Sequence, residues 1–90
     1  MVSIRKMYLH LLKRYFCHQL VQTRTSLGLT QFAMAERLMM DERSYIDLDH
    51  GKSCCSALTL VLFLIYSCED PLAFLHELRD IFENETGYAA

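Results

Sequence analysis

Proline occurs once and glycine three times in these 90 residues, which leaves little material for the tight turns that β-hairpins need. No run of strictly alternating apolar and polar residues lies between turn residues either, so sheet architectures are set aside and an all-α fold is expected. Long apolar runs are missing too. The most apolar stretch, Ala57 to Tyr66, is far short of the roughly 20 residues that cross a bilayer. It reads as a buried helix starting at Ser56 as cap and ending before Pro71, with no membrane partner. Cys17, Cys54, Cys55 and Cys68 form no paired C-x-x-C units, so no zinc or other metal site is expected. Cys17 and Cys68 lie in apolar stretches as small core residues, and the spacing assigns no role to the vicinal Cys54-Cys55 pair. The opening Met-Val-Ser-Ile-Arg-Lys lacks an apolar core followed by a small-residue cleavage site, and a reducing cytoplasm is the expected location.

Chemistry-bearing patterns are likewise absent. The sequence has no Gly-rich phosphate loop, no nucleophile beside a general base at motif spacing, and no His/carboxylate cluster. His10, His18, His50 and His76 are scattered. No catalytic residue and no cofactor is expected, and an enzyme is not the reading.

What is present is a 52% hydrophobic chain, sufficient for one compact core, and a lopsided charge distribution. Residues 1–29 carry five basic side chains (Arg5, Lys6, Lys13, Arg14, Arg24) and no acid, whereas the remainder carries four basic side chains and all eleven acids. The net charge of −2 repels a polyanion at long range, so any attraction to phosphate must be local.

Five helices are expected, near 4–26, 31–38, 42–50, 57–67 and 71–84. In the first, Ile4, Tyr8, Leu11, Leu12, Tyr15, Phe16 and Leu20 return to one broad face at steps of three and four, while the cations fall elsewhere. The sequence leaves both forms of this helix open, one rod or a break near Cys17-His18-Gln19. Thr30 before Gln31, Phe32, Ala33 and Ala35 reads as a capped helix start, and Asp41 caps a second start. Tyr45 and Leu48 then share a face. Glu69-Asp70-Pro71 starts the last helix, where Asp caps and Pro suits the first turn. Its stripe of Leu72, Leu75, Leu78, Ile81 and Phe82 has two readings. It seals the domain's own core, or Leu75, Leu78 and Phe82 form a two-fold homodimer seam. The expected organisation is a single domain over 1–90: an N-terminal helical extension (1–15), a core (16–68), and a C-terminal helix and tail (69–90).

Arg24, Leu29-Thr30-Gln31, Ala35 with Leu38, and Tyr45, Leu48, Asp49 and Gly51 stand in the order and spacing of one known pattern. On these residues, about half of the chain resembles the lambda-repressor-like (Xre/Cro type) helix-turn-helix DNA-binding domains. The chain departs from that pattern at Met39, where the family usually has Gly in the turn. It departs again at Ile46, at Asp49 in place of Glu, and in lacking a Pro after Gly51.

The resemblance implies a compact five-helix domain with an extended first helix, acting as a dimeric, sequence-specific transcriptional regulator on double-stranded DNA. It implies that the helix after the turn enters the major groove, so that Glu42, Arg43, Ser44 and Asp47 face base edges. Arg43 can donate two hydrogen bonds to guanine, or pair with Asp47 on its own helix. Gln31 is the phosphate contact, with His50, Lys52 and Ser53 beside the backbone or a base. Arg24 and Asp49 are expected to form a structural ion pair between the first and third helices. Asp41, Glu42, Asp47 and Asp49 weigh against phosphate, although Asp41 and Glu42 also serve the helix start. The competing reading is a protein-interaction or antitoxin-like module on the same fold, whose acidic face and apolar helices meet a protein partner.

Overall fold

The computed structural model describes residues 3–88, and among them the chain forms five α-helices and no strand. These are α1 (Ile4–Ser26), α2 (Gln31–Arg37), α3 (Glu42–Asp49), α4 (Ala57–Tyr66) and α5 (Pro71–Thr86). Every helix start after α1 is closed by the expected side chain. Thr30 Oγ1 accepts from the Ala33 N–H at 3.1 Å, Asp41 Oδ2 from Ser44 at 2.9 Å, Ser56 Oγ from Thr59 at 3.2 Å and Asp70 Oδ1 from Ala73 at 3.0 Å. Each satisfies an amide that the helix ladder cannot reach.

The helix ends obey a common rule as well. After α1, the Leu29 and Gly28 amides bond back to the Arg24 and Thr25 carbonyls, with Gly28 at φ +68°. After α3, Lys52 and Gly51 bond to Asp47 and Leu48, with Gly51 at φ +72°. Both are Schellman closures, which need a left-handed residue and so favour glycine. The end of α2 makes the same closure without glycine. Met40 and Met39 bond to Ala35 and Glu36, and Met39 sits at φ +57°. The missing turn glycine therefore leaves the corner intact and places an L-residue in a region that costs it about 1 kcal/mol or more. Met39 is 82% exposed, so its side chain loses little by removal. Met39→Gly is accordingly expected to raise stability by ~1 kcal/mol despite the added backbone freedom of glycine, as an upward shift of the urea midpoint; a lower midpoint contradicts the strain.

α1 is one continuous rod through Cys17-His18-Gln19, as a segment without proline or glycine allows. At 1.5 Å per residue its 23 residues account for most of the molecule's 39 Å long axis. α1 packs on α3 and α5, and α2 packs on α3. The core draws on all five helices: Tyr15, Phe16 and Leu20 of α1, Met34 and Ala35 of α2, Leu38 of the turn, Tyr45 and Leu48 of α3, Phe63 of α4, and Phe74 and Leu78 of α5. It thus extends past the expected 16–68 span at both ends. An aromatic chain runs through it, with ring centroids of Phe16 and Phe63 5.2 Å apart, Phe63 and Phe74 5.8 Å, and Tyr15 and Phe74 4.9 Å. Such tilted and edge-on pairs add to the area they bury.

Two expectations are corrected. α4 is not a buried helix: Thr59 and Phe63 are its buried residues, while Leu58, Val61, Ile65 and Tyr66 are exposed at 67%, 47%, 63% and 66%. A helix packed on one side covers one stripe only, and this one is apolar all round. The α5 stripe also divides. Leu78 is buried in the chain's own core and cannot serve a dimer seam, and Phe82 is half-buried with its ring 4.7 Å from that of Tyr8. Of the three proposed seam residues, Leu75 alone is exposed. The reason is rotational: Phe74, Leu78, Ile81 and Phe82 lie on the face toward α1, which turns Leu72 and Leu75 outward.

Candidate nucleic-acid interface

α2 and α3 meet across the three-residue corner Leu38–Met40, and a buried carboxylate fixes how they meet. Asp49, at the end of α3, is 7% exposed. Its Oδ1 accepts from Arg24 Nε at 3.2 Å and from the Tyr45 hydroxyl at 2.9 Å, and its Oδ2 accepts from Gln31 Nε2 at 3.1 Å. One carboxylate therefore joins α1, the first residue of α2, and α3 itself. The Cys17 thiol also donates to the Asp49 backbone carbonyl at 3.1 Å. Buried charge is tolerated here because a cation and two further donors surround it.

The expected Arg24–Asp49 ion pair is present, with side chains 22% and 5% exposed. Two of the carboxylate's partners were not anticipated. Tyr45 reads from its spacing as a plain core residue, yet the hydroxyl needs an acceptor and the residue four positions on supplies it. Gln31 reads as a phosphate contact, and its amide is turned onto Asp49. That bond uses one of its two amide hydrogens, so the second hydrogen and the Oε1 acceptor are not taken up by Asp49. The surroundings act on neighbouring acids in consistent directions. Burial, and then the adjacent Asp49 charge, hold the Tyr45 hydroxyl well above its ordinary range, and the same two causes raise the Cys17 thiol.

Glu42, Arg43 and Ser44, the first turn of α3, are all exposed. The chain's own packing covers none of them. The Ser44 amide is engaged by Asp41, whose carboxyl is held below its usual value chiefly by that bond; the preceding amides of the turn have no partner within the helix. Arg43 makes no ion pair among the described residues, so the alternative pairing with Asp47 is not formed. Asp47 is half-buried, and its backbone carbonyl accepts the Lys52 and Ser53 amides at 2.8 and 3.4 Å. His50, Lys52 and Ser53 are exposed just past α3. The other cation near this corner, Arg37, donates to the Tyr66 carbonyl at 3.4 Å.

The surface thus presents one unpaired guanidinium, one exposed ammonium, a glutamate and a half-covered aspartate, all set against the rigid Asp49 hub. Arg43 can serve as a planar two-donor group, and Lys52 and Ser53 as donors to an anionic oxygen. The thiols bring no activated nucleophile to it. Burial, with a further contribution from Cys54, pushes Cys55 up to about 12, and burial raises Cys68. Among the described residues, no three of the His, Cys, Asp and Glu side chains gather as a metal site, and no helix is long and apolar enough to cross a membrane. No protein-family model matches the chain, and no curated protein or solved structure shows significant similarity to it.

Proposed function

We propose that this chain is a sequence-specific DNA-binding transcriptional regulator of the lambda-repressor-like helix-turn-helix kind. The observation that carries this reading is the pairing of a locked helix corner with an open reading turn. Asp49 ties α1, α2 and α3 together, while Glu42, Arg43 and Ser44 point to solvent from the start of α3. A helix presented in this way enters the major groove, where Arg43 donates to the O6 and N7 of guanine and Glu42 accepts from cytosine N4. Lys52 and Ser53 follow the groove edge as phosphate contacts. Gln31 adds one through its second amide hydrogen, beside the amides of the α2 start. Two copies place two reading helices in successive grooves, ~34 Å apart, on a near-palindromic site. Occupying that site blocks or recruits the polymerase.

The acids favour a second reading. Glu42 is exposed, Asp47 half-exposed, and residues 30–90 carry eleven acids against four bases. That surface suits docking on a basic protein, as an antitoxin-like or adaptor module does. Mobility on random-sequence duplex DNA separates the two. DNA binding is expected to give retention at low salt that disappears as salt is added, through counterion release. A folded sample that shows no retention at high micromolar concentration excludes the DNA reading and leaves the interaction module.

A further inference from the structure

We infer that the outer face of α4 is where a second copy of this chain docks. Leu58, Val61 and Ile65 recur at steps of three and four, so they form one stripe, and each is about half or more exposed, with Tyr66 beside them. This assigns the interface to α4, in place of the α5 seam that buried Leu78 removes from consideration.

Surface area favours a copy of the chain as the occupant. By their fractional exposures these four side chains leave on the order of 400 Å² open, as large as the biggest apolar patch on many whole monomers. Leu72 and Leu75, at 69% and 46% exposed, follow on α5 after the short Ser67–Asp70 connection. Two copies of the α4 stripe together bury on the order of 800 Å² from these side chains alone, at the low end of interface sizes where weak, transient association lies.

Charge narrows the choice further. α4 is the one helix of the five with no Asp, Glu, Lys, Arg or His, and the chain from residue 30 onward is strongly acidic elsewhere. Copies approaching through other faces of that region bring like charges together; the α4 stripe itself brings none, and an antiparallel crossing keeps the two Glu69-Asp70 ends apart. A two-fold axis needs a self-complementary patch, and the stripe supplies one. Crossing antiparallel, the two helices set Leu58 against the partner's Ile65 and place Val61 beside the axis, with their backbone dipoles opposed. An anionic lipid surface is a poorer occupant, since Glu69 and Asp70 lie directly beyond the end of α4 and would face the headgroups.

Sedimentation of the full chain tests this. At tens of micromolar the natural sequence is expected to run as a dimer that dissociates on dilution. Leu58→Glu/Ile65→Glu should run as a monomer, with unchanged helix content because both side chains already face solvent. Should that double variant unfold, the milder Leu58→Gln/Ile65→Gln, which adds no charge, is expected to weaken the dimer at least tenfold. A natural sequence that stays monomeric throughout this range overturns the inference, as does a double variant that still dimerises. So does a chain that is monomeric in buffer and binds phosphatidylglycerol vesicles through this face. The DNA reading fails or survives separately: a monomer that still shifts duplex DNA sinks only the interface, and a dimer that binds no DNA sinks only the DNA reading.

Discussion

Asp49→Ala is expected to remove about 3 to 5 kcal/mol of folding stability, the cost of breaking a buried pair from one side. The substitution leaves a 0% exposed Tyr45 with its hydroxyl unpartnered and a 22% exposed Arg24 side chain without its counter-ion. Exposure lets water take over part of the Arg24 loss, but the tyrosine has no such relief, and an orphaned buried hydroxyl alone costs about 1 to 3 kcal/mol. Small domains have only ~5 to 15 kcal/mol in total, so this is a large fraction of the whole and should lower the urea midpoint markedly. Tyr45→Phe provides the internal comparison. It removes one bond to Asp49 and leaves the other two in place, and should cost about 1 kcal/mol. Urea denaturation with an unchanged slope gives both values. A loss below 1 kcal/mol for Asp49→Ala would mean that packing, and not this hub, holds the helix corner.

Arg43→Ala should have the largest effect on recognition. Loss of a two-donor contact to guanine corresponds to about 1 to 3 kcal/mol, which is roughly 5- to 150-fold in affinity for the preferred site, and it should relax the preference at a single base position. Because Arg43 is exposed and forms no ion pair among the described residues, the variant's stability should not change. Gln31→Ala should weaken all sequences alike and also lower stability, since its amide bonds to Asp49 at 3.1 Å. Lys52→Ala should reduce the slope of affinity against salt by about one. Titrations of the three variants at several salt concentrations distinguish these patterns. If Arg43→Ala and Gln31→Ala both leave affinity for a measured site intact, the surface is wrongly assigned.

The parts of this molecule that were legible in the sequence are those set by neighbours in the chain. Thr30, Asp41, Ser56 and Asp70 each announce a helix start because capping is decided within three residues. The helix ends followed within two residues for the same reason. Arg24 with Asp49 was reachable only through the resemblance, since 25 positions separate them. Tyr45, four residues before Asp49, was within local reach and reads from its spacing as a core residue, but the Gln31 arm of the Asp49 hub was not legible. Gln31 joins it from 18 positions away, and nothing local tells whether its amide turns inward or toward solvent. The exposed side of α4 escaped for a different reason. Ala-Leu-Thr-Leu-Val-Leu-Phe-Leu-Ile-Tyr carries no polar face to mark the outside, so periodicity has nothing to report and only the tertiary arrangement decides which leucines are covered. The α5 stripe was wide enough to belong to two faces, and Phe74, overlooked in the pattern, fixes which one turns inward.

Met39 shows how the fold tolerates a local conflict. The Schellman bonds to Ala35 and Glu36 and the anchoring of Leu38 in the core hold the corner against the residue's own preference. The conflict sits at the junction between α2 and α3, which is also where the proposed function needs a fixed angle. Met39→Gly therefore separates stability from recognition: it should relieve backbone strain with no change in DNA affinity, as long as the Asp49 hub still sets the geometry.

Residue-resolved NMR titration of the folded chain with a short random-sequence duplex at low salt bears most directly on whether α3 reads nucleic acid. The largest amide shifts are expected at Glu42, Arg43 and Ser44, with Lys52 and Ser53 next, and they should collapse as salt is raised. Shifts confined to α4 and α5, or no shifts at saturating duplex, would contradict the reading-helix assignment and leave the acidic face to a protein partner.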